Sequence, residues 1–119
     1  MELPEIITRL PEVELPIPST TVRTSLLQSE HGQLVFFQIL KDVELPPHSH
    51  KGQWGTVLEG MVELTVNGST RSHSAGSSYY IPAGAIHSAM LVAGTKIIEF
   101  FEEPNRYKQK HLQSAGPDA

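Results

Sequence analysis

The stretch HSHKGQWGTVLEGMVELTVNGSTRSHSAGSSYYIPAGAIH, residues 48–87, opens on His48-Ser49-His50 and closes on His87. On a β-strand, side chains at i and i+2 point to the same face, so His-x-His in a strand is a ready-made pair of metal ligands. A third imidazole from another strand would complete a site of the kind zinc, iron, nickel, copper or manganese accept. Pro82-Ala83-Gly84 is a turn signal that places His87 at the start of an apolar segment. Between the two clusters, Asn67-Gly68 is the strongest hairpin signal in the chain.

Working outward, the rest of the chain reads as short strands separated by turns. Strand signals cover residues 20–28, 33–41, 43–45, 53–59, 61–66, 70–74, 78–81, 87–92 and 96–101. Glu30-His31-Gly32 and Ala93-Gly94 are turns, and Pro46-Pro47 is expected to end the third strand. So many short strands, with almost no helical periodicity before residue 103, predict an all-β sandwich or barrel. Residues 1–18 hold Pro4, Pro11, Pro16 and Pro18, which forbid a long helix and predict an extended N-terminal arm. Its aliphatic residues are too many for a free tail. They are expected to pack on the barrel or on a second subunit, and a homodimer with the arm on the partner's sheet is predicted. Residues 104–119 form a C-terminal tail. Its part up to residue 113 is expected to make one or two helical turns from Pro104, and the rest is expected to fray. The barrel proper is assigned to residues 19–103.

Bulk properties narrow the function. A chain of 119 residues makes one domain with a single core. The net charge of −4 and the lack of a basic run argue against nucleic acid as a partner. Arg106, Lys108 and Lys110 read as a solvated face. With no cysteine, neither disulfides nor thiolate ligands are available, which fits a reducing cytoplasm. The start Met1-Glu2-Leu3-Pro4-Glu5 lacks the pattern of a signal peptide, and no apolar run approaches the ~20 residues a membrane span needs. A cytoplasmic location and no membrane partner are expected.

The joint pattern resembles the two motifs of the cupin superfamily, commonly G-x5-H-x-H-x3,4-E-x6-G and G-x5-P-x-G-x2-H-x3-N. Gly76, Pro82, Gly84 and His87 match the second at the family spacing. His48, His50 and Gly60 match the first, and Gln53 lies seven residues before Gly60, where the glutamate would sit. The resemblance covers roughly residues 33–102. Asp42 replaces the opening glycine and Leu91 the closing asparagine, both at positions read as structural. The resemblance implies a double-stranded jelly roll enclosing a pocket, with one divalent metal on His48, His50 and His87. Gln53 departs from the family in a ligand. It is also one residue closer to His50 than the shortest usual spacing, so it can join only if the chain bulges or turns near Gly52. Gln53 then reaches the metal through its side-chain oxygen, or else only hydrogen-bonds nearby.

Strand alternation assigns the pocket wall. Gly55 and Val57 share the face of Gln53, and an inward Gly55 would leave room for a ligand. Ala89 and Leu91 point inward with His87 and make that wall greasy. One of Tyr79 and Tyr80 faces the cavity, and alternation does not say which. His73 reads as surface, and His31 and His111 as poor ligand candidates. The register of Glu99 on the last strand is ambiguous.

Three neutral imidazoles and a neutral amide leave a divalent ion its full charge. Such a site attracts anionic oxygen ligands and lowers the pKa of bound water. A small anionic or enolisable organic compound is expected, acted on by a dioxygenase, isomerase or cyclase. The alternative is a binding module for a small molecule, or a cupin whose metal is structural.

Overall fold

The computed structural model describes residues 1–110. After a single turn of helix, α1 (Glu5–Thr8), nine strands follow: β1 (Val22–Ser29), β2 (Gly32–Ile39), β3 (Val43–His48), β4 (Gln53–Glu59), β5 (Met61–Val66), β6 (Ser69–Ser74), β7 (Ser78–Ile81), β8 (His87–Leu91) and β9 (Lys96–Phe101). They form a five-stranded sheet, β1-β2-β9-β4-β7, and a four-stranded sheet, β3-β8-β5-β6. All named pairs are antiparallel. This is the jelly-roll sandwich that the motifs implied.

Period-2 alternation builds the core. On the larger sheet Val35, Phe37, Ile39, Val57, Ile81, Ile97 and Phe101 are buried, and they face Val62, Leu64 and Leu91 of the smaller sheet. The hairpin at Asn67-Gly68 forms as expected. Both residues have positive φ, 48° and 83°, the two-residue geometry that matches the twist of the flanking strands. Among the described residues, no helix is long and apolar enough to cross a membrane.

Three expectations change. The third strand does not stop at Leu45 but runs through Pro46-Pro47 to His48. It lies at a sheet edge and carries a register shift between Leu45 and His48, the two settings in which a sheet tolerates proline. Residues 104–110 make a turn at Pro104-Asn105 and no helix, because the amide of Tyr107 is captured by the buried side chain of Gln33; the helix expected up to residue 113 otherwise lies outside the described residues, as does the fraying end. The arm, finally, is not wholly extended, since Glu5–Thr8 is helical. From Pro11 onward it packs on its own barrel rather than reaching away from it. The Leu26 amide donates to Pro11 O (2.8 Å), the Val13 amide to Thr24 Oγ1 (2.9 Å), and Arg23 pairs with Glu12 at 2.6 Å. Val13 is part of the core.

The arm and the C-terminal segment also meet. Val13 bridges Gln109, the Glu14 amide donates to Lys108 O, and the Lys110 amide donates to Glu12 O. Together they form a strap whose residues Leu15, Ile17 and Tyr107 close one wall of the central cavity.

Candidate metal centre

His48, His50 and His87 offer ligand atoms that all lie within 4.8 Å of one another. Three local devices bring them together. His48 ends β3 and sits directly opposite His87 on β8, with ring centroids 4.2 Å apart. His50 lies beyond the end of β3, on the turn into β4, so it does not share a strand with His48 as expected. Its carbonyl accepts from the Gly84 amide at 2.9 Å, which pins it to the Pro82–Gly84 turn. The chain then turns through Lys51-Gly52, which answers the short spacing to Gln53. Gly52 packs closely there: its amide donates to Glu102 Oε1 at 2.8 Å, and a Cβ would meet the end of that side chain.

Each imidazole is held by its other nitrogen. His48 Nδ1 lies 2.8 Å from Pro46 O, His50 Nδ1 2.8 Å from Lys51 O, and His87 Nδ1 2.9 Å from Ala85 O. A carbonyl only accepts, so Nδ1 carries the proton and Nε2 keeps its lone pair. This backbone support is the kind that orients metal-ligating histidines. Burial lowers the pKa values of His50 and His87, and the positive charge of Arg106 adds to the effect, so both rings favour the neutral, ligating form. Nε2 of His50 and of His87 are buried without a hydrogen-bond partner. Orphaned buried acceptors converging at one point fit a cation, and the three histidines could hold a metal ion.

Gln53 lines the same cavity. Its Nε2 donates to Glu99 Oε2 at 2.7 Å, and its Oε1 is buried with no partner. A carboxylate accepts and does not donate, so the amide nitrogen belongs toward Glu99 and the oxygen is turned away from it, free to meet a cation.

Glu99 and Tyr79 complete this end. Glu99 faces inward and is buried, and the Tyr79 hydroxyl donates to the same Oε2 at 2.6 Å. Tyr79 reaches it across Gly55, which pairs with Tyr79 on one side and with Glu99 on the other. A Cβ on Gly55 would lie 2.6 Å from Tyr79 Cζ. The space expected there for a ligand is therefore filled by the Tyr79 ring. Burial pushes the Glu99 carboxyl up, while its two donors and Arg106 pull against that. Burial and the Glu99 charge raise the Tyr79 phenol, which stays a donor.

The remaining assignments sort cleanly. Tyr79 faces the cavity, whereas Tyr80 is 64% exposed on the opposite face of β7 and leaves the pocket. Ala89 and Leu91 line the cavity, and Val57 is buried beside it in the core. His73 lies away from the cluster, with Nδ1 2.6 Å from Ser77 Oγ. The cavity itself measures about 90 Å³ and is walled mainly by aliphatic and aromatic side chains.

Residues 35–101 match the family model of the cupin domain. The chain belongs to the cupin family. This cupin is similar to an RmlC-like cupin from Shewanella frigidimarina, at 26% identity over 81% of this chain and 86% of that one, with a TM-score of 0.68. It shares its fold with KdgF from a Halomonas species, at 20% identity over 77% and 86% of the two chains and a TM-score of 0.64. It also shares its fold with oxalate decarboxylase from Bacillus subtilis, a protein with Mn(II) centres. There the identity is 18%, the cover is 87% of this chain and 31% of that one, and the TM-score is 0.63. No curated protein matches this cupin.

Proposed function

We propose that this cupin binds one divalent transition metal (zinc, iron, nickel, copper or manganese) through His48, His50, His87 and Gln53. With it the protein acts on a small anionic or enolisable organic compound, in chemistry of the dioxygenase, isomerase or cyclase type. The observation that carries this reading is the pair of buried, partnerless Nε2 atoms of His50 and His87, on rings held from behind by backbone carbonyls. A bound divalent ion supplies Lewis acidity and acidifies a coordinated water.

The chain's own residues do the rest. Four neutral ligands leave the positive charge of the site undiminished, so an oxyanion is favoured over a neutral group. The apolar walls exclude water and take the hydrocarbon part of the compound. Glu99 is the one buried carboxylate among the described residues. It can hold a proton within the cavity wall, with Tyr79 and Gln53 fixing its Oε2.

One feature favours a second reading, a non-catalytic cupin or one with a structural metal: three imidazoles and an amide oxygen already make the four ligands of a closed tetrahedral shell. Elemental analysis, followed by titration of the cobalt-substituted protein with a small carboxylate, separates the two. One metal per chain and a visible-spectrum change on titration support the first reading. Metal without a spectral response supports the second, and no metal overturns the first and leaves the non-catalytic cupin.

A homodimer belongs to the same proposal, but its face shifts from the arm to the outer surface of the five-stranded sheet. Leu27, Leu34, Phe100, Trp54 and Tyr80 form one row across all five strands there. Trp54, Tyr80 and Phe100 are 43%, 64% and 38% exposed. That leaves on the order of 300 Å² of aromatic surface, enough for the centre of an interface of ~800 Å² per partner. Light scattering that gives a dimer mass lowered by Trp54→Glu supports this face, and a monomer mass at micromolar concentration overturns it.

A further inference from the structure

Among the strand residues that line the central cavity, the polar ones are all at one end. Strand pairing orders that lining in rows. The first row holds His48 opposite His87 on the smaller sheet and Gln53 opposite Phe101 on the larger. Gln33 of the same row ties down the Tyr107 backbone. Two residues along, Gly55 has Glu99 and Tyr79 on either side, and Leu45 pairs with Ala89. Two residues further, the lining is Phe37 and Ile97 on the larger sheet and Val43, Leu91 and Val62 on the smaller. Val22 and Ile39 lie one row beyond. None of these last seven side chains has a polar atom. At ~3.3 Å per residue, the all-apolar row stands ~13 Å from the histidine row.

Leu15 and Ile17 line the same cavity, half-buried and packed against the core. They come from the arm, which runs antiparallel to β1: Pro11 O takes the Leu26 amide, and the Val13 amide meets Thr24 Oγ1. Thr24 belongs to the row of Phe37 and Ile97. Each further step along the arm therefore leads away from the histidines and toward Val22. It carries Leu15 and Ile17 to the apolar end, where they stand between the cavity and solvent. A hydroxyl or a charge placed at that end would be buried without a partner, at a cost that a plain hydrocarbon does not meet.

We propose that Leu15 and Ile17 set the length of the hydrocarbon chain that this cavity accepts, and that its ligand is a small acid with an unbranched alkyl chain and no second polar end. This rests on the metal reading above, which holds the oxygen-bearing end at the histidines, and narrows its ligand from any oxyanion to an alkyl acid. The cavity volume of about 90 Å³ is the reason for a slim chain. A dry cavity needs ~150 Å³ to take a benzene ring. The selecting side chains sit on the arm, so they can be changed without touching the histidines.

The test titrates the purified full-length protein by calorimetry with unbranched 2-oxo acids, from pyruvate and 2-oxobutyrate up to 2-oxooctanoate. A further probe is 2-oxoglutarate, which is 2-oxopentanoate with a carboxylate in place of the methyl end. Affinity should rise about fourfold with each added carbon until the chain meets the arm, and then fall. Ile17→Ala should move that maximum about one to three carbons longer, the upper bound being the three carbons the variant removes. Leu15→Ala should move it the same way, and decides the matter if Ile17→Ala fails to fold. Metal content should be unchanged in both. Binding of 2-oxoglutarate should be roughly tenfold or more weaker than that of 2-oxopentanoate. A maximum that stays in place in both variants overturns the assignment, as does equal affinity for the two five-carbon acids. If the wild type holds no metal, the metal reading fails by itself. A maximum that still moves with the arm variants would then keep the selector, and acid binding by no form would remove it.

Discussion

His48 and His87 stand directly opposite each other across β3 and β8 because β3 carries one extra residue between Leu45 and His48. Leu45 lines the cavity, so strict alternation would turn His48 outward. The bulge at Pro46-Pro47 shifts the phase by one and turns it in. The two rings and that of His50 then form a compact cluster at the edge of the core rather than within it. Changing His48 and His50 together to Ala should abolish metal binding while shifting apo-protein stability by only about 0.5 kcal/mol, since neither side chain belongs to the buried core. Elemental analysis and thermal melting check both halves. Undiminished metal in the double variant would sink the assignment.

Gln53→Glu should keep the metal and weaken the binding of small carboxylates. The added charge offsets half that of the ion, worth on the order of a few kcal/mol at short range. The change also replaces the donor that now meets Glu99 Oε2 at 2.7 Å with a second acid. Titrating 2-oxobutyrate against both proteins is the measurement. Equal affinities would mean that Gln53 does not touch the metal.

Gly55→Ala should destabilise the protein by about 1–3 kcal/mol, the usual cost of overpacking, because the new methyl would collide with the Tyr79 ring. The same change in a Tyr79→Ala background should be close to neutral. Equal losses of melting temperature in the two backgrounds would place the strain somewhere other than on Tyr79.

Glu12 anchors the arm through Arg23 and the Thr24 amide. Burial raises its pKa, but the hydrogen bond and charge of Arg23 outweigh that, so the folded value lies below the ordinary 4.5. A depressed carboxyl contributes stability above the unfolded pKa and loses it as pH falls through the folded value. Docking of residues 11–17 should therefore weaken below about pH 4.5, read as faster amide exchange at Val13 and Leu26, and Glu12→Gln should remove that pH dependence. Exchange that is flat with pH in the wild type would show that the pair does not hold the arm.

Much of this was legible in the chain. The strands at 53–59, 61–66, 78–81 and 96–101 have the expected bounds, because each is bounded by a turn or a glycine. The histidine cluster followed from motif spacing. What escaped depended on register. Lys96–Phe101 is apolar on both faces, so its pattern could not say that Glu99 looks inward. The Tyr79-Tyr80 pair has the same ambiguity. An inward glycine in a strand, Gly55, was the available signal for a side chain lying over it. Tyr107 was masked by Arg106, Lys108 and Lys110, which read as a solvated face, and nothing local announces that Gln33 would hold it in the cavity wall.

The strap over the cavity has a consequence for how the protein is made. Val13 bridges Gln109, 96 positions away by their numbers (109 minus 13), so the strap cannot close until residue 109 has been made, even though the arm already has partners on β1. Contacts of such separation form late and slowly. A nascent chain that ends before Tyr107 already holds β3, β4 and β8, which place the three histidines, while the wall of Leu15, Ile17 and Tyr107 is still open. Under the metal reading proposed above, an ion has its widest path to the histidines before the strap closes.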